Sequence, residues 1–410
     1  MSDTTSSGTA KRPMHILEIE TFGRGGLIHY AYNLSCALAQ RGHRVTLLTT
    51  AAYELEERSL PPNVDIVKAI GRFTGRFGHR LPGFLLRQAR RAEAIFDAVA
   101  VAWRAWRMRP DVVHIHCTNS ISVVYHLLLR LVGAPLAATA HVVTPHEAIP
   151  LQPLIYRRIH RLCRLIVAHS GFDRQRLLRE FGVDPRRVAV IPHGEYGFFQ
   201  GVEASDQDPG GDSSRAAAAR QRFGIEGRAP VALFFGYIRE YKGLDLLLKA
   251  WETVVQSHPN ARLLIAGDPV RLGPQRRQEL EDWAERVGAI HRFGYVPFSD
   301  VAHYFTAADV LVMPYRHISQ SGVLYLALSL GVPVLATRVG ALPEVLEDGE
   351  SALLVEPESP AALSDALDRI FGDENLRKRL AAGGRQVAEE HSWPSIAQRT
   401  ESFFGGLLDC

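Results

Sequence analysis

The chain has 410 residues, 46% hydrophobic and 22% charged, enough apolar material for a large core and, at this length, for two domains rather than one. A formal net charge of +3 excludes a polyanion binder acting through its whole surface, and no apolar run approaches the roughly 18 residues of a membrane span. Four scattered cysteines, Cys36, Cys117, Cys163 and Cys410, form no CxxC pair, so neither a disulfide framework nor a structural zinc site is expected.

In chain order, MSDTTSSGTAKRP is polar and lacks the apolar core of a signal peptide, so residues 1–13 read as a disordered tail and the chain as cytoplasmic. MHILEIE (14–20) reads as a buried strand, LIHYAYNLSCALAQRGH as a helix ending near Gly42, and RVTLLTT as the next strand, a βαβ unit. In the connecting TFGRGGLIHY, Gly23, Gly25 and Gly26 let the backbone approach a ligand, and the helix that follows aims its amides at an anion. Taken alone this is a plain tight turn, because the second strand ends in Thr49 and Thr50 where a dinucleotide fingerprint needs an acid.

Residues 71–110 carry nine arginines (72, 76, 80, 87, 90, 91, 104, 107 and 109) against two acids, Glu93 and Asp97, interleaved with aromatic and aliphatic side chains. Two readings stand side by side: an interfacial helix pressed on anionic lipid, or a solvated face with its aromatics turned into the core. YRRIHRLCRL (156–165) is a second basic run and adds to the lipid reading. Strands DVVHIH, PLAATAH, RLIVAHS and VAVIPHG then complete a parallel sheet and end the first domain near Gly194. His114, His116, His169 and His193 sit at strand ends without metal-ligand spacing and read as core or cleft-wall residues.

VEASDQDPGGDSS (202–214) is a polar loop. A second series follows, with strands VALFFGY, ARLLIAG, IHRFGYV, VLVMPY, VPVLATR and SALLVE alternating with helices such as GLDLLLKAWETVVQSH and SPAALSDALDRIF. The boundaries read as an N-terminal domain over 14–200, a linker over 201–227, a C-terminal domain over 228–392, and an amphipathic helix over 393–410 that folds back on either domain, the N-terminal one being expected. The fold class is α/β, with two doubly wound domains facing across a cleft, and function belongs in the loops that follow strands.

Three such loops suit an anion. Beside the glycine turn, FFGYIREYKGLDLLLKA sets Arg239 and Lys242 just before a helix opened by Gly243, and one fork-shaped and one point-like cation next to free helix amides fit a diphosphate. In HISQSGVLYLALSLGVPVLAT (317–337), Gln320, Ser321, Gly322 and Val323 open a helix directly after a strand.

With GGL near the start, IPHGEY, FFGYIREYKGLD, FGYVP and GVPVLATRVGALPEVLEDGESALLVEP, the span from Met14 to about Trp393 resembles the retaining, nucleotide-sugar-dependent glycosyltransferases of the GT-B fold, family 4-like. The resemblance implies that Arg239 and Lys242 bind the donor diphosphate and neutralise the leaving nucleotide in place of a metal. It further implies that the amides of Ser321, Gly322 and Val323 hold the distal phosphate, that Gly25 and Gly26 close over the donor, and that Tyr295 and Val296 edge the base. By the same resemblance His141, in ATAHVVTPHE, faces the donor sugar, while His146 and Glu147 line the acceptor side.

One departure stands out. The family's pair of glutamates, with seven residues between them, aligns on Ile318 and Leu326, and nothing from Arg316 to Pro333 is acidic. The sequence resembles a subset in which a Ser-Gln-Ser-Gly turn replaces them, with Ser319 and Gln320 the nearest polar candidates for the sugar. The implied function is a metal-independent, retaining, hexosyltransferase-type transfer with no cofactor, from a nucleoside diphosphate sugar to a lipid-linked, glycan or small-molecule acceptor in glycoconjugate or polysaccharide synthesis. No nucleic acid partner is expected, and the 71–110 segment would make the protein peripheral on the inner face of a membrane. The missing acids keep two alternatives open: a non-catalytic nucleotide-sugar-binding partner subunit, and a nucleotide-sugar epimerase or hydrolase on the same fold.

Overall fold

The computed structural model describes residues 12–77, 82–116, 122–143, 152–197 and 212–407. The chain divides into two compact units: Met1–Ala168 with Arg174–Ile191 and Trp393–Cys410, and His169–Asp173 with Pro192–Ser392. No helix among the described residues is long and apolar enough to cross a membrane.

The first unit is built on a seven-stranded parallel sheet. Its strands are β1 (His15–Ile19), β2 (Arg44–Thr50), β3 (Val64–Ile70), β4 (Val112–Ile115), β5 (Leu136–Ala140), β6 (Leu165–Ala168) and β7 (Val188–Val190). They lie in the order β3-β2-β1-β4-β5-β6-β7. The helices are α1 (Gly26–Gln40), α2 (Arg72–Phe77), α3 (Gly83–Met108), α4 (Ser122–Leu131), α5 (Gln152–Leu162) and α6 (Gly171–Phe181). Helices on both faces explain the near-continuous apolar strands, such as β2 and β5. β3, which the sequence did not mark, is an edge strand whose middle is only partly covered, so its pattern VDIVKAI carries lysine and aspartate.

The second unit holds a six-stranded parallel sheet, β10-β9-β8-β11-β12-β13. Here β8 is Val231–Phe235, β9 Arg262–Gly267, β10 Ile290–Phe293, β11 Val310–Met313, β12 Val334–Thr337 and β13 Leu353–Val355. Its helices are α7 (Asp212–Arg222), α8 (Leu244–Ser257), α9 (Pro274–Arg286), α10 (Phe298–Ala307), α11 (Gly322–Leu330), α12 (Leu342–Val345), α13 (Pro360–Gly372) and α14 (Glu374–Glu390). The stretch read as a linker over 201–227 therefore contains a helix: the tract from Ser213 through Ala219 has the propensity for one, and Ala219 packs into the core of this unit.

The last helix, α15 (Trp393–Gly405), groups with the first unit. Trp393, Ile396 and Phe404 join Ile16, Leu34 and Val45 in one apolar cluster, and the Trp393 ring meets Tyr30 at 5.2 Å between centroids. Glu401, on the same helix, accepts from Arg41.

In both sheets the strand order reverses beside the first strand, between β1 and β4 and between β8 and β11. Ligands of doubly wound sheets bind outside the carboxyl ends of the strands at that point. The loops leaving β1, β8 and β11 are those that carry the glycine turn, Arg239 with Lys242, and the Ser-Gln-Ser-Gly turn.

Candidate functional site

In the second unit β8 ends at Phe235, and the chain passes Gly236 (φ 96°) into a short 3-10 turn, Glu240–Lys242, with Arg239 as its N-cap. Gly243 follows at φ 67° and caps α8; a Cβ there would lie 2.0 Å from the Pro314 carbonyl oxygen, so conformation and space both require glycine. This close approach fixes the turn against the segment leaving β11. Lys242 is folded inward and buried. A Cβ added to Gly236 would stand 3.0 Å from both Lys242 Nζ and Val323 Cγ2, which puts the ammonium at the first turn of α11. The ammonium also lies 5.3 Å from the Tyr315 ring centroid.

Charge at this turn is unbalanced. Glu240 accepts from Arg276 Nε at 2.9 Å, and Asp245 takes two 2.9 Å bonds from Arg316. The nearby acids are thus bound to other guanidinium groups, and no carboxylate among the described residues pairs with Arg239 or Lys242. Burial, with Arg239 adding repulsion, lowers the Lys242 amine from 10.5 to about 7.

The start of α11 completes the arrangement. Ser321 is its N-cap but makes no side-chain cap, and a helix leaves its first amides without intrahelical partners. A Cβ at 322 would lie 2.8 Å from the Tyr196 hydroxyl, so a larger residue would displace that side chain. Three buried side-chain atoms in these two loops, Arg239 Nε, Ser319 Oγ and Gln320 Nε2, have no hydrogen-bond partner among the described residues. Such atoms are rare in a finished core and are expected where a polar ligand binds. Ile318 and Leu326, the positions that align with the two glutamates, are core residues, packed with Leu324, Val334 and Ala336. Of the pair after β10, Tyr295 is exposed whereas Val296 is buried in the same cluster.

In the first unit two carboxylates hold the glycine turn. Glu20 accepts from the amides of Phe22 and Gly23, both at 2.7 Å, and from Thr49. Burial pushes its carboxyl up to about 7 against those hydrogen bonds. Glu54 accepts from the Gly25 amide at 2.6 Å and lies 3.2 Å from His29 Nε2, so a carboxylate sits at the N-terminus of α1. Gly25 itself has φ 72° and is the N-cap, and Gly26 is the first helical residue.

One turn into α1, Tyr30 meets His141 edge-on at 4.7 Å and His116 at 5.4 Å between centroids. His141 is half-buried, and beneath it lies a fully buried group. Glu18 Oε2 is 2.8 Å from His114 Nδ1 and 2.5 Å from His116 Nε2, while His114 Nε2 is 2.7 Å from Thr139 Oγ1. Burial alone would raise the Glu18 carboxyl, but His114 and His116 hold it down at about 2. The Glu18–His116 contact is a short hydrogen bond, and the three groups lie close enough together to act as ligands of one metal ion.

Two family models match the chain: Glycosyltransferase Family 4 over residues 24–194 and Glycosyl transferases group 1 over residues 229–373. The chain is a family 4-like glycosyltransferase of the GT-B fold. Similar proteins include the D-inositol 3-phosphate glycosyltransferase of Corynebacterium kroppenstedtii, 26% identical over 98% of this chain and 91% of the relative. That of Xylanimonas cellulosilytica is 29% identical over 91% and 89%. Among solved structures, Anabaena Alr3699/HepE in complex with UDP-glucose aligns at a TM-score of 0.74 and 18% identity over 96% of this chain and 100% of that one. WaaG, a glycosyltransferase involved in lipopolysaccharide biosynthesis, aligns at 0.67 and 20% over 96% and 100%.

The transferase thus carries its candidate residues in two sets. Arg239, Lys242, Ser319, Gln320, Ser321, Gly322 and Val323 lie together in the second unit, with Tyr295 and Val296 on the loop after β10. Gly25, Gly26 and His141 lie in the first unit, the helix they open meeting His141 through Tyr30. His146 and Glu147 fall outside the described residues. Sequence reasoning missed Glu18, Glu20 and Glu54; acids inside an apolar strand, as in HILEIE, are the signal that would have found the first two.

Proposed function

We propose that the glycosyltransferase takes its sugar from a nucleoside diphosphate donor and transfers it, with retention of configuration and without a metal ion, to a hydroxyl-bearing acceptor. The observation that carries this reading is the pair Arg239 and Lys242, cations with no carboxylate partner among the described residues, the second of them standing at the first turn of α11. A diphosphate supplies the two missing negative charges. As the bond from the anomeric carbon to the diphosphate oxygen breaks, the leaving charge falls on groups already in place. The acceptor oxygen forms the new bond and its proton passes to a donor phosphate oxygen. Ser319 and Gln320 are the polar groups assigned to the sugar and Tyr295 and the Val296 backbone to the base, while Gly25, Gly26 and His141 are the first unit's own candidates for donor contact. Retention and independence from metal rest on the resemblance to the family and on these cations.

A UDP-glucose complex of Anabaena HepE supports a donor of this class. Names of the relatives favour a small phosphorylated cyclitol as acceptor, whereas the basic and aromatic segment over 71–110 favours a lipid-linked one presented to a cytoplasmic, peripheral enzyme. Calorimetric titration with nucleoside diphosphates and the matching nucleosides tests the donor assignment. Arg239→Ala is expected to weaken the diphosphate by about 1.5–3 kcal/mol, roughly tenfold to a hundredfold or more, and to leave the nucleoside unchanged. Equal losses for both ligands would place the diphosphate elsewhere.

A further inference from the structure

The long helix α3 has two apolar faces, and the described residues cover only one of them. Ala98, Val101, Ala102 and Ala105 pack into the core of the first unit. At 3.6 residues per turn, Phe84, Ile95, Val99 and Trp106 fall along a second line, with Phe96 and Trp103 beside it. All six are exposed, Phe96 by 75% and Trp106 by 57%. From Ile95 to Trp106 the stripe covers about three turns, about 17 Å at ~1.5 Å per residue, and Phe84 stands apart from it near the start of the helix. Apolar surface of such continuity is rare on a soluble protein unless something binds it.

On α2 and α3 arginines outnumber acids. Both acids of the segment are turned to other work: Asp97 accepts from the Gly71 amide, and Glu93 from the amides of Phe73 and Thr74, holding α2 against α3. No carboxylate among the described residues pairs with Arg72, Arg76, Arg90, Arg91 or Arg107, and Arg107 lies 5.5 Å from the Trp103 ring centroid. Tryptophan and phenylalanine beside unpaired arginines match the boundary between acyl chains and anionic headgroups. A second copy of the chain fits poorly, because an isologous contact would press this positive rim against itself.

We propose that the exposed face of α3 docks the transferase on an anionic lipid bilayer, its aromatic side chains entering the acyl boundary and its arginines contacting headgroup phosphates. This inference is independent of the donor assignment, since none of these residues belongs to the candidate site.

The test is flotation of the full chain with vesicles of phosphatidylcholine alone and of phosphatidylcholine with phosphatidylglycerol, for wild type, Trp103→Ser with Trp106→Ser, and Arg90→Glu with Arg91→Glu and Arg107→Glu. Binding is expected only with phosphatidylglycerol and to weaken as salt rises. At about 1 kcal/mol, or fivefold, for each arginine near the surface, the triple charge reversal should lower partition by a hundredfold or more. Melting temperatures and nucleoside diphosphate affinity of the variants should match wild type. Equal binding to both vesicle types, or no binding to either, overturns the proposal. So does sedimentation showing an oligomer that the double tryptophan variant dissolves, which would assign the face to a second copy.

Discussion

Replacing Lys242 by methionine should stabilise the ligand-free transferase while weakening its hold on a diphosphate, two effects of opposite sign from one substitution. Lys242 is 6% exposed and has no carboxylate partner among the described residues. At about 1.4 kcal/mol per pH unit, the fall from 10.5 to about 7 corresponds to roughly 5 kcal/mol, an upper figure because water and relaxation at an open loop lessen it. Exchanging buried charge for apolar side chains of similar shape stabilises proteins by ~1–4 kcal/mol in favourable cases. Methionine keeps the unbranched stem and removes the charge. With ~2–4 °C per kcal/mol for a unit of this size, the calorimetric transition should rise by several degrees. Arg316→Met is the control with the opposite sign, because it strips Asp245 of two 2.9 Å charged hydrogen bonds and should lower the transition. The reasoning is refuted if Lys242→Met melts below wild type and still binds nucleoside diphosphates with unchanged affinity.

Diphosphate affinity should depend on pH through the same lysine. A bound phosphate favours the ammonium, so affinity is level below about pH 7 and falls by up to tenfold per pH unit above it; titrations from pH 7 to 9 that show no fall would exclude Lys242 as a phosphate ligand. His141→Ala should lower turnover more than donor affinity, read from initial rates against a binding titration; unchanged turnover would make His141 structural. Gly243→Ala places a side chain at φ 67° and 2.0 Å from the Pro314 carbonyl, and denaturant unfolding should show a loss above about 2 kcal/mol. Removing a ribose hydroxyl from the nucleotide should cost less than about 1 kcal/mol, under roughly fivefold, because Leu326 leaves no orphaned carboxylate; a ribose preference above tenfold would mean another polar group makes that contact.

Most of the strands were legible because both faces of each sheet are covered, which turns β2, β5 or β8 into uninterrupted apolar runs bounded by turns. β3 was not, since an edge strand with a partly exposed face carries no such run. Helix α7 hid behind the glycines and aspartates that precede it, although its alanines have high intrinsic helix propensity. At the candidate site the cations and the glycines could be read from spacing, but their surroundings could not. Lys242 is buried beside Gly236 and Val323, and among the described residues Arg239 has no carboxylate partner because Arg276 and Arg316 take Glu240 and Asp245. Glu18 meets His114 and His116 only because β1 and β4 are sheet neighbours almost a hundred residues apart in sequence. Ile318 and Leu326 looked in the sequence like site positions robbed of their acids; both side chains are packed in the core, so a carboxylate at either would need a buried partner of its own.

Proton NMR of the product formed from a nucleoside diphosphate sugar, in chelator, tests the central claim most directly. Transfer is expected to proceed with the anomeric coupling of the donor preserved, at a rate indifferent to chelator, and to vanish when Arg239→Ala and Lys242→Met are combined. An inverted anomer, loss of activity on chelation, or a double variant that turns over at the wild-type rate would contradict it.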